Sequence, residues 1–326
     1  MRIALTGATG FIGSHIAESL TRQGHIVTAL VRTGSRTDFL KSLGVAIKPA
    51  ELHDRNGLVR ALHDHDAIIH AAAKVDTYGF WRDFERTTVA GTRNVVQAAT
   101  DAGVRRFVHI SSVGVYGWPR ADGTPFVETD PYGTPYRWNY YSRSKIAAEK
   151  TVQTATIETT ILRLTWVFGP RDPTTLGRLV RALRERRVRW IGTADNVLDL
   201  VYASDMADAV VLASTNPKAA GQIYNVSARE SSATQREYVT AICEQLNLPL
   251  PKKTLSPRFA AGLGFLSECI AHATAYRVRP PLTRHTFMLF GGQRRYSTDK
   301  IRADLGWTPR VDFATGIRQT LTCQPA

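Results

Sequence analysis

The chain predicts a doubly wound α/β fold, a parallel sheet with helices on both faces, carrying a smaller and discontinuous C-terminal lobe. Three observations predict it. Short apolar runs alternate with helical patterns as far as residue 170, glycines punctuate the first strand–helix junction, and beyond Gly169-Pro170 the texture changes to short elements separated by proline and glycine. At 326 residues the chain can bury a sizeable core.

Taken in order, Ile3, Ala4 and Leu5 read as a buried strand, and Ile12, Ile16 and Leu20 as one face of a helix that Gly24 ends. His25–Arg32, Val45–Ile47 and Ala67–Ala73 read as the second to fourth strands, with short helices between them. Phe84–Gly103 reads as one long helix and Arg106–Ser112 as the fifth strand. A turn-rich loop, Gly114–Asn139, leads to a helix over Tyr140–Ala155 and a strand over Thr159–Val167. The expected division is residues 1–170 for the sheet domain and 171–326 for the lobe. A helix over Asp205–Ser214 and a strand over Ile223–Val226 are expected to return to the sheet from the 201–226 region.

Composition narrows the function classes. The formal charge is +14, mostly arginine, densest at Arg178, Arg181, Arg184, Arg186, Arg187 and Arg189. No nucleic-acid motif accompanies that run, so it reads as a solvated helix face and no nucleic-acid partner is expected. Cys243, Cys269 and Cys323 lie far apart, which suggests neither a disulfide framework nor a metal site and fits a reducing cytoplasm. The N-terminus enters a core strand directly and does not read as a signal peptide. The most lipid-like stretch, Phe259–Tyr276, is interrupted by Glu268 and His272 and reads as an amphipathic helix, not a span.

The chemistry is concentrated in two places. In Thr6-Gly7-Ala8-Thr9-Gly10-Phe11-Ile12-Gly13, Gly7 allows the turn, Gly10 lets backbone approach a pyrophosphate, and Gly13 lets the helix sit close to the strand. The helix N-terminus then offers N–H groups and partial positive charge to phosphates. The second strand ends in Arg32, with Ser35 and Arg36 nearby, where an NAD site usually carries an acid, which favours NADP(H). The second place is Tyr141-Ser142-Arg143-Ser144-Lys145, where Tyr141 and Lys145 share one helix face. An ammonium near a phenol is expected to lower the tyrosine pKa towards working pH, as proton transfer to a carbonyl requires. Ser112, at the carboxyl end of a parallel strand, is placed to hold the same substrate oxygen.

These motifs resemble the extended short-chain dehydrogenase/reductase family, nearly end to end. The family's T-G-x-x-G-F-I-G is similar to Thr6–Gly13, its H-x-A-A to His70–Ala73, its S-S-x-x-V-Y-G to Ser111–Gly117, its Y-x-x-x-K to Tyr141–Lys145, and its R-x-x-x-V-Y-G-P to Arg163–Pro170. The resemblance implies a Rossmann-type sheet, with Tyr141 as general acid/base, Lys145 on the nicotinamide ribose and Ser112 on the substrate oxygen. Candidate cofactor contacts are Gly7, Thr9, Gly10, Phe11, Ile12, Arg32, Ser35, Arg36, Glu51, Leu52, Ala71, Ala72, Ala73, Tyr141, Lys145 and Val167. Two departures stand out: Thr88 replaces the relay asparagine, and Ala50-Glu51-Leu52 replaces the usual G-D-L.

Ala71–Trp81, Arg279-Pro280-Pro281-Leu282-Thr283-Arg284 and the Tyr296–Pro309 tail resemble the branch holding 3β-hydroxysteroid dehydrogenases, 2-alkyl-3-oxoalkanoate reductases and dihydroflavonol reductases. That implies an NADP(H)-dependent enzyme acting on a ketone or secondary alcohol of a bulky apolar skeleton: a β-keto acid, or a sterol-like or polyketide-like ketone. Trp81, Trp118, Tyr132, Tyr136, Trp138 and Trp166 are candidates to line an apolar pocket, and Lys74 and Arg171 to meet a substrate carboxylate. Asp205 and Asp208 read as helix-start residues serving capping and the helix dipole. The alternatives are a nucleotide-sugar epimerase or dehydratase with tightly held NAD, and an NADP-sensing binding protein without turnover. The resemblance also implies a homodimer through Phe84–Gly103 and Tyr140–Ala155.

Overall fold

The computed structural model describes residues 1–322 except 121, 174 and 281, with backbone alone at 231. Pro281 and Cys323, named above, lie outside the described residues. The apolar runs form β1 (Arg2–Thr6), β2 (Ile26–Val31), β3 (Ala46–Pro49), β4 (Ala67–His70), β5 (Arg106–Ser112) and β6 (Glu158–Leu164). Between them lie α1 (Phe11–Arg22), α2 (Asp38–Ser42), α3 (Arg55–Leu62), α4 (Trp81–Phe84), α5 (Gly91–Asp101) and α6 (Tyr140–Gln153). The seven-stranded sheet runs β3-β2-β1-β4-β5-β6, closed by a strand from the C-terminal half, and every pairing in it is parallel. Such a sheet is covered on both faces, which is why Ile3, Leu5, Ile68, Ile69, Phe107 and Val108 are all buried.

Two expected elements are broken. The single helix expected over Phe84–Gly103 is instead α4, a π-helical turn over Glu85–Ala90, and α5. The strand expected over Thr159–Val167 stops at Leu164 and resumes as β7 (Trp166–Phe168). Between them the Thr165 N–H donates to the Val226 carbonyl at 3.1 Å, while β7 turns to a different partner, β10.

The C-terminal half contains α7 (Thr175–Arg184), β8 (Trp190–Ile191), β9 (Val197–Leu198), β10 (Leu200–Tyr202), α8 (Ala203–Thr215), β11 (Ile223–Val226), β12 (Ala233–Thr234) and α9 (Gln235–Gln245). It ends with β13 (Thr254–Leu255), α10 (Pro257–Ala273), α11 (Arg284–Gly291), α12 (Asp299–Leu305) and α13 (Phe313–Thr322). β11 is the seventh strand, paired with β6, and α8 packs on α1. A separate core gathers Phe168, Leu176, Val180, Tyr238, Ile242 and Ile317. On α7, Leu176, Val180 and Leu183 face that core and Arg178, Arg181 and Arg184 face solvent, as its spacing dictates. α10 buries Ala260, Gly264 and Glu268 but leaves Phe259, Leu263, Leu266 and Ile270 exposed. No helix among the described residues is long and apolar enough to cross a membrane.

Candidate active site

The turn after β1 is built so tightly that side chains are excluded from it. Gly7 has φ +72°, and a Cβ there would stand 2.7 Å from the Ala72 nitrogen; one on Gly13 would stand 2.1 Å from the Gly7 carbonyl oxygen. α1 starts at Gly10 with no side-chain cap and no acidic residue in its first turn, so the N–H groups around Phe11 and Ile12 keep their affinity for an anion. Thr9 and Gly10 are exposed beside them. This cradle fits a dinucleotide pyrophosphate. Ala71, Ala72 and Ala73 lie against it as irregular chain, because β4 ends at His70 and not at Ala73 as its apolar run suggested. His70 is pinned between the Thr6 and Thr92 hydroxyls, at 2.7 and 3.1 Å.

At the end of β2, Arg32 and Arg36 are exposed and Ser35 half-buried. Glu51 reaches the same corner from the end of β3, where its carboxylate accepts the Thr33 N–H at 3.3 Å. Leu52 is held by its carbonyl, which accepts from the Asn94 side chain at 2.8 Å. Val167 is buried within β7.

At the end of β5 the serine–tyrosine–lysine set comes together. Asn139 caps α6 by accepting the Ser142 N–H at 3.1 Å, which starts the helix one residue before Tyr141. Ser112 Oγ accepts the Gly114 N–H at 3.1 Å and faces the Tyr141 ring. Gly114 leaves the space between them: a Cβ there would lie 3.4 Å from Ser112 Oγ and 3.6 Å from Tyr141 Cε1. Lys145 is buried one turn along and donates to the Ile110 carbonyl at 2.7 Å.

The electrostatics differ from expectation. Burial raises the Tyr141 pKa and only the Ser112 hydrogen bond opposes it. Lys145 does not bring it down, because its ammonium is turned to Ile110; burial lowers Lys145 itself to about 8. Tyr141 is therefore a protonated phenol at neutral pH.

Beneath the set lies a closed polar network. Arg163 on β6 pairs with Glu149 on α6 at 2.8 Å and also donates to the Tyr116 hydroxyl at 2.9 Å and the Glu128 carbonyl at 3.2 Å. Glu149 also accepts from Ser111 and from Tyr132 at 3.0 Å, and Tyr116 donates to Asn225 at 2.7 Å. Thr88, at the relay position, sits on the π-helical turn and accepts the Lys74 N–H at 3.0 Å.

Several expected substrate contacts are committed elsewhere. Lys74 pairs with Asp76 at 2.6 Å, and Arg171 with Glu18 at 2.6 Å as well as Ser14 and His15 on α1. Both are thus ion-paired within the chain. Asp205 stands in the first turn of α8 but holds the Val311 N–H at 3.0 Å, and Asp208 pairs with Arg22 at 2.7 Å. Of the aromatics, Tyr132 belongs to the buried network and Trp166 packs edge-on against Phe290. Trp138 stacks on Phe265 and His272 of α10, and Arg284 lies 3.9 Å over the Tyr136 ring. Arg284 is fixed there by Glu268, at 2.7 Å.

Two residues that the sequence reading did not single out border the site. His285 on α11 meets the Tyr141 ring at 5.6 Å between centroids, edge to face. Arg294 donates to the Gly117 carbonyl at 2.9 Å, on the loop that follows Ser112. Their signal was weak, since one arginine among so many reads as surface.

A pyrophosphate cradle on a doubly wound sheet, with serine, tyrosine and lysine at the carboxyl ends of its strands, defines a nicotinamide-dinucleotide-dependent enzyme of the extended short-chain dehydrogenase/reductase class. The chain belongs to the NAD dependent epimerase/dehydratase family, whose model matches residues 3–227. It is 29% identical over 327 residues to the 2-alkyl-3-oxoalkanoate reductase of Stenotrophomonas maltophilia (strain K279a), covering 98% of each chain. It is 27% identical to the 4-hydroxy-2-methyl-3-oxo-4-farnesyl-3,4-dihydroquinoline-1-oxide ketoreductase of Stigmatella aurantiaca, covering 100% of this chain and 97% of that one. Its fold is similar to the UDP-glucuronic acid 4-epimerase of Bacillus cereus in complex with NAD, with a TM-score of 0.77 at 20% identity, covering 99% of this chain and 96% of that one.

Proposed function

We propose that the protein is an NADP(H)-dependent reductase of a ketone carried on a bulky, largely apolar skeleton. One observation carries this reading: Ser112 Oγ and the Tyr141 ring meet across Gly114 at the carboxyl edge of the sheet, with Lys145 buried one turn away. A bound nicotinamide dinucleotide would supply the reducing equivalent. Ser112 Oγ holds the substrate oxygen, and Tyr141 Oη delivers its proton there as the carbonyl becomes an alcohol. A phenol that stays protonated at neutral pH carries the proton that the reductive direction consumes. Lys145 holds the cofactor ribose, while Gly7, Gly10 and the start of α1 hold the pyrophosphate.

Arg32 and Arg36 favour a 2′-phosphate, while Glu51 at the same corner opposes it, so the preference for NADPH over NADH is set by two arginines against one carboxylate. The names of the two ketone-reducing relatives support an apolar substrate. The homodimer proposed through α5 and α6 is tested by sedimentation, where a monomer mass would count against it.

The deciding experiment follows NADPH consumption against a 2-alkyl-3-oxo acid, a 3-keto steroid, a flavanonol and a keto-sugar nucleotide, with Tyr141→Phe beside it. Consumption with an apolar ketone, lost in the variant, is the expected result. Turnover of only the sugar nucleotide overturns it.

A further inference from the structure

α10 is amphipathic with its sides reversed. It turns Ala260, Gly264, Ser267, Glu268 and Ala271, all small or polar, towards the protein, and a Cβ on Gly264 would stand 3.1 Å from the Arg284 nitrogen. Phe259, Leu263, Leu266 and Ile270, spaced as one stripe of the helix, face outward, with Phe259 61% and Leu266 55% exposed. The four span about 16 Å of the helix axis. Just past the helix, the exposed Phe80 meets the Tyr276 ring edge-on at 5.0 Å, which carries the apolar surface onto the segment before α4.

Charge frames this stripe. Residues 245–298 hold one carboxylate, Glu268, and it is buried and paired with Arg284 at 2.7 Å. Lys252, Lys253 and Arg258 are exposed where α10 begins, and Arg277 and Arg279 just past its end. Among the described residues none of the five is ion-paired. The parallel pairing of β8 with β13 runs Arg189 alongside Lys253 and widens the cationic border at that end.

An apolar stripe held in water is costly unless something covers it. A second copy of the chain is a poor cover, because a two-fold pairing of α10 helices sets two borders of unpaired cations against each other. A bilayer of anionic lipid suits both features: its acyl region takes the stripe and its headgroups take the cations. We infer that α10 docks this protein on the surface of a membrane containing anionic phospholipid. The helix lies in the interface, with its apolar stripe among the acyl chains and the lysines and arginines at its two ends on the headgroups. It rests on the membrane without crossing it, since Gly264 and the Glu268–Arg284 pair hold its other side to the protein.

Co-sedimentation of the full chain with vesicles tests this, using phosphatidylcholine alone and phosphatidylcholine with about a third phosphatidylglycerol. Binding to the anionic vesicles is expected, with little to the neutral ones and a steep fall as salt is raised. Lys252→Gln/Lys253→Gln should weaken it about 25-fold, at about fivefold per charge. Lys41→Gln/Arg60→Gln removes the same charge from exposed positions on α2 and α3 and should change binding by less than about twofold. Phe259→Ser/Leu266→Ser should weaken it by at least about 100-fold, with circular dichroism confirming folded protein. Equal losses in the two charge variants, or binding that survives Phe259→Ser/Leu266→Ser, mean adsorption of a basic chain to any polyanion and overturn the docking helix. So does an absence of binding to the anionic vesicles. Sedimentation without lipid tests the second copy: a dimer that Phe259→Ser/Leu266→Ser dissolves assigns the stripe to an interface between copies and also overturns docking. None of these readouts needs turnover, so docking and the reductase reading stand or fall separately.

Discussion

Arg163 and Arg294 are both buried arginines, one under the β5–α6 face and one in the C-terminal lobe, and they are satisfied to different degrees. Arg163 has a carboxylate, a phenol and a backbone carbonyl around it, and Glu149 is itself saturated by Ser111 and Tyr132. Among the described residues Arg294 has one backbone carbonyl, that of Gly117, and no ion-paired acid. A buried charge whose partners are all supplied by the chain supports the fold, whereas one short of acceptors is costly to bury. The β5–α6 region under Ser112 and Tyr141 therefore satisfies its own buried charge, whereas Arg294 has one acceptor.

The largest effect should come from the chemistry that the scaffold supports. Tyr141→Phe should lower kcat by about a hundred- to ten-thousand-fold, measured as NADPH consumption with the best ketone, while cofactor binding by fluorescence persists. Next, Arg163→Met should cost about 3–5 kcal/mol in urea unfolding, because it strands Glu149 as a buried charge. The double variant Arg163→Met/Glu149→Leu should regain much of that; a double variant as unstable as the single would show that packing, not pairing, is what Arg163 provides.

Acid tests both regions together. Burial lowers His15 and His285 to about 4 and His70 to about 3, all from 6.5, so each stays neutral in the folded chain while the unfolded chain takes up protons. Stability is full above pH 6.5 and should fall as pH drops from 6.5 towards 4, by about 1.4 kcal/mol per unit for each group across its window. Melting temperature against pH measures this, and a flat profile from 6.5 to 4.5 would contradict it. The smallest effect is expected for Arg294→Met, about 1 kcal/mol or less, since one hydrogen bond is lost while an unpaired buried charge is removed. A loss as large as that of Arg163→Met would erase the contrast between the two arginines.

What the sequence disclosed follows the same divide. β5 and β11 lie where their apolar runs placed them, and Ser112, Tyr141 and Lys145 meet, because strand period, cap and helix spacing are local signals. Ala71–Ala73 were misread as strand: their small side chains leave room for the Gly7 turn, a contact between distant segments. The break at Thr165 is equally invisible locally, since only Val226 and Asp199 redirect the backbone. The direction of the Tyr141 shift was misjudged because spacing places Lys145 near the phenol but does not say that Ile110 takes its ammonium. His285 and Arg294 acquire meaning only through Tyr141 and Gly117, far away in the chain.

The placement of His285 on α11, apart from the strand and helix that carry Ser112 and Tyr141, has an evolutionary consequence. Ser112 and Tyr141 are encoded in one stretch of chain and the side chain packed on the Tyr141 ring in another, so drift in the second need not damage the first.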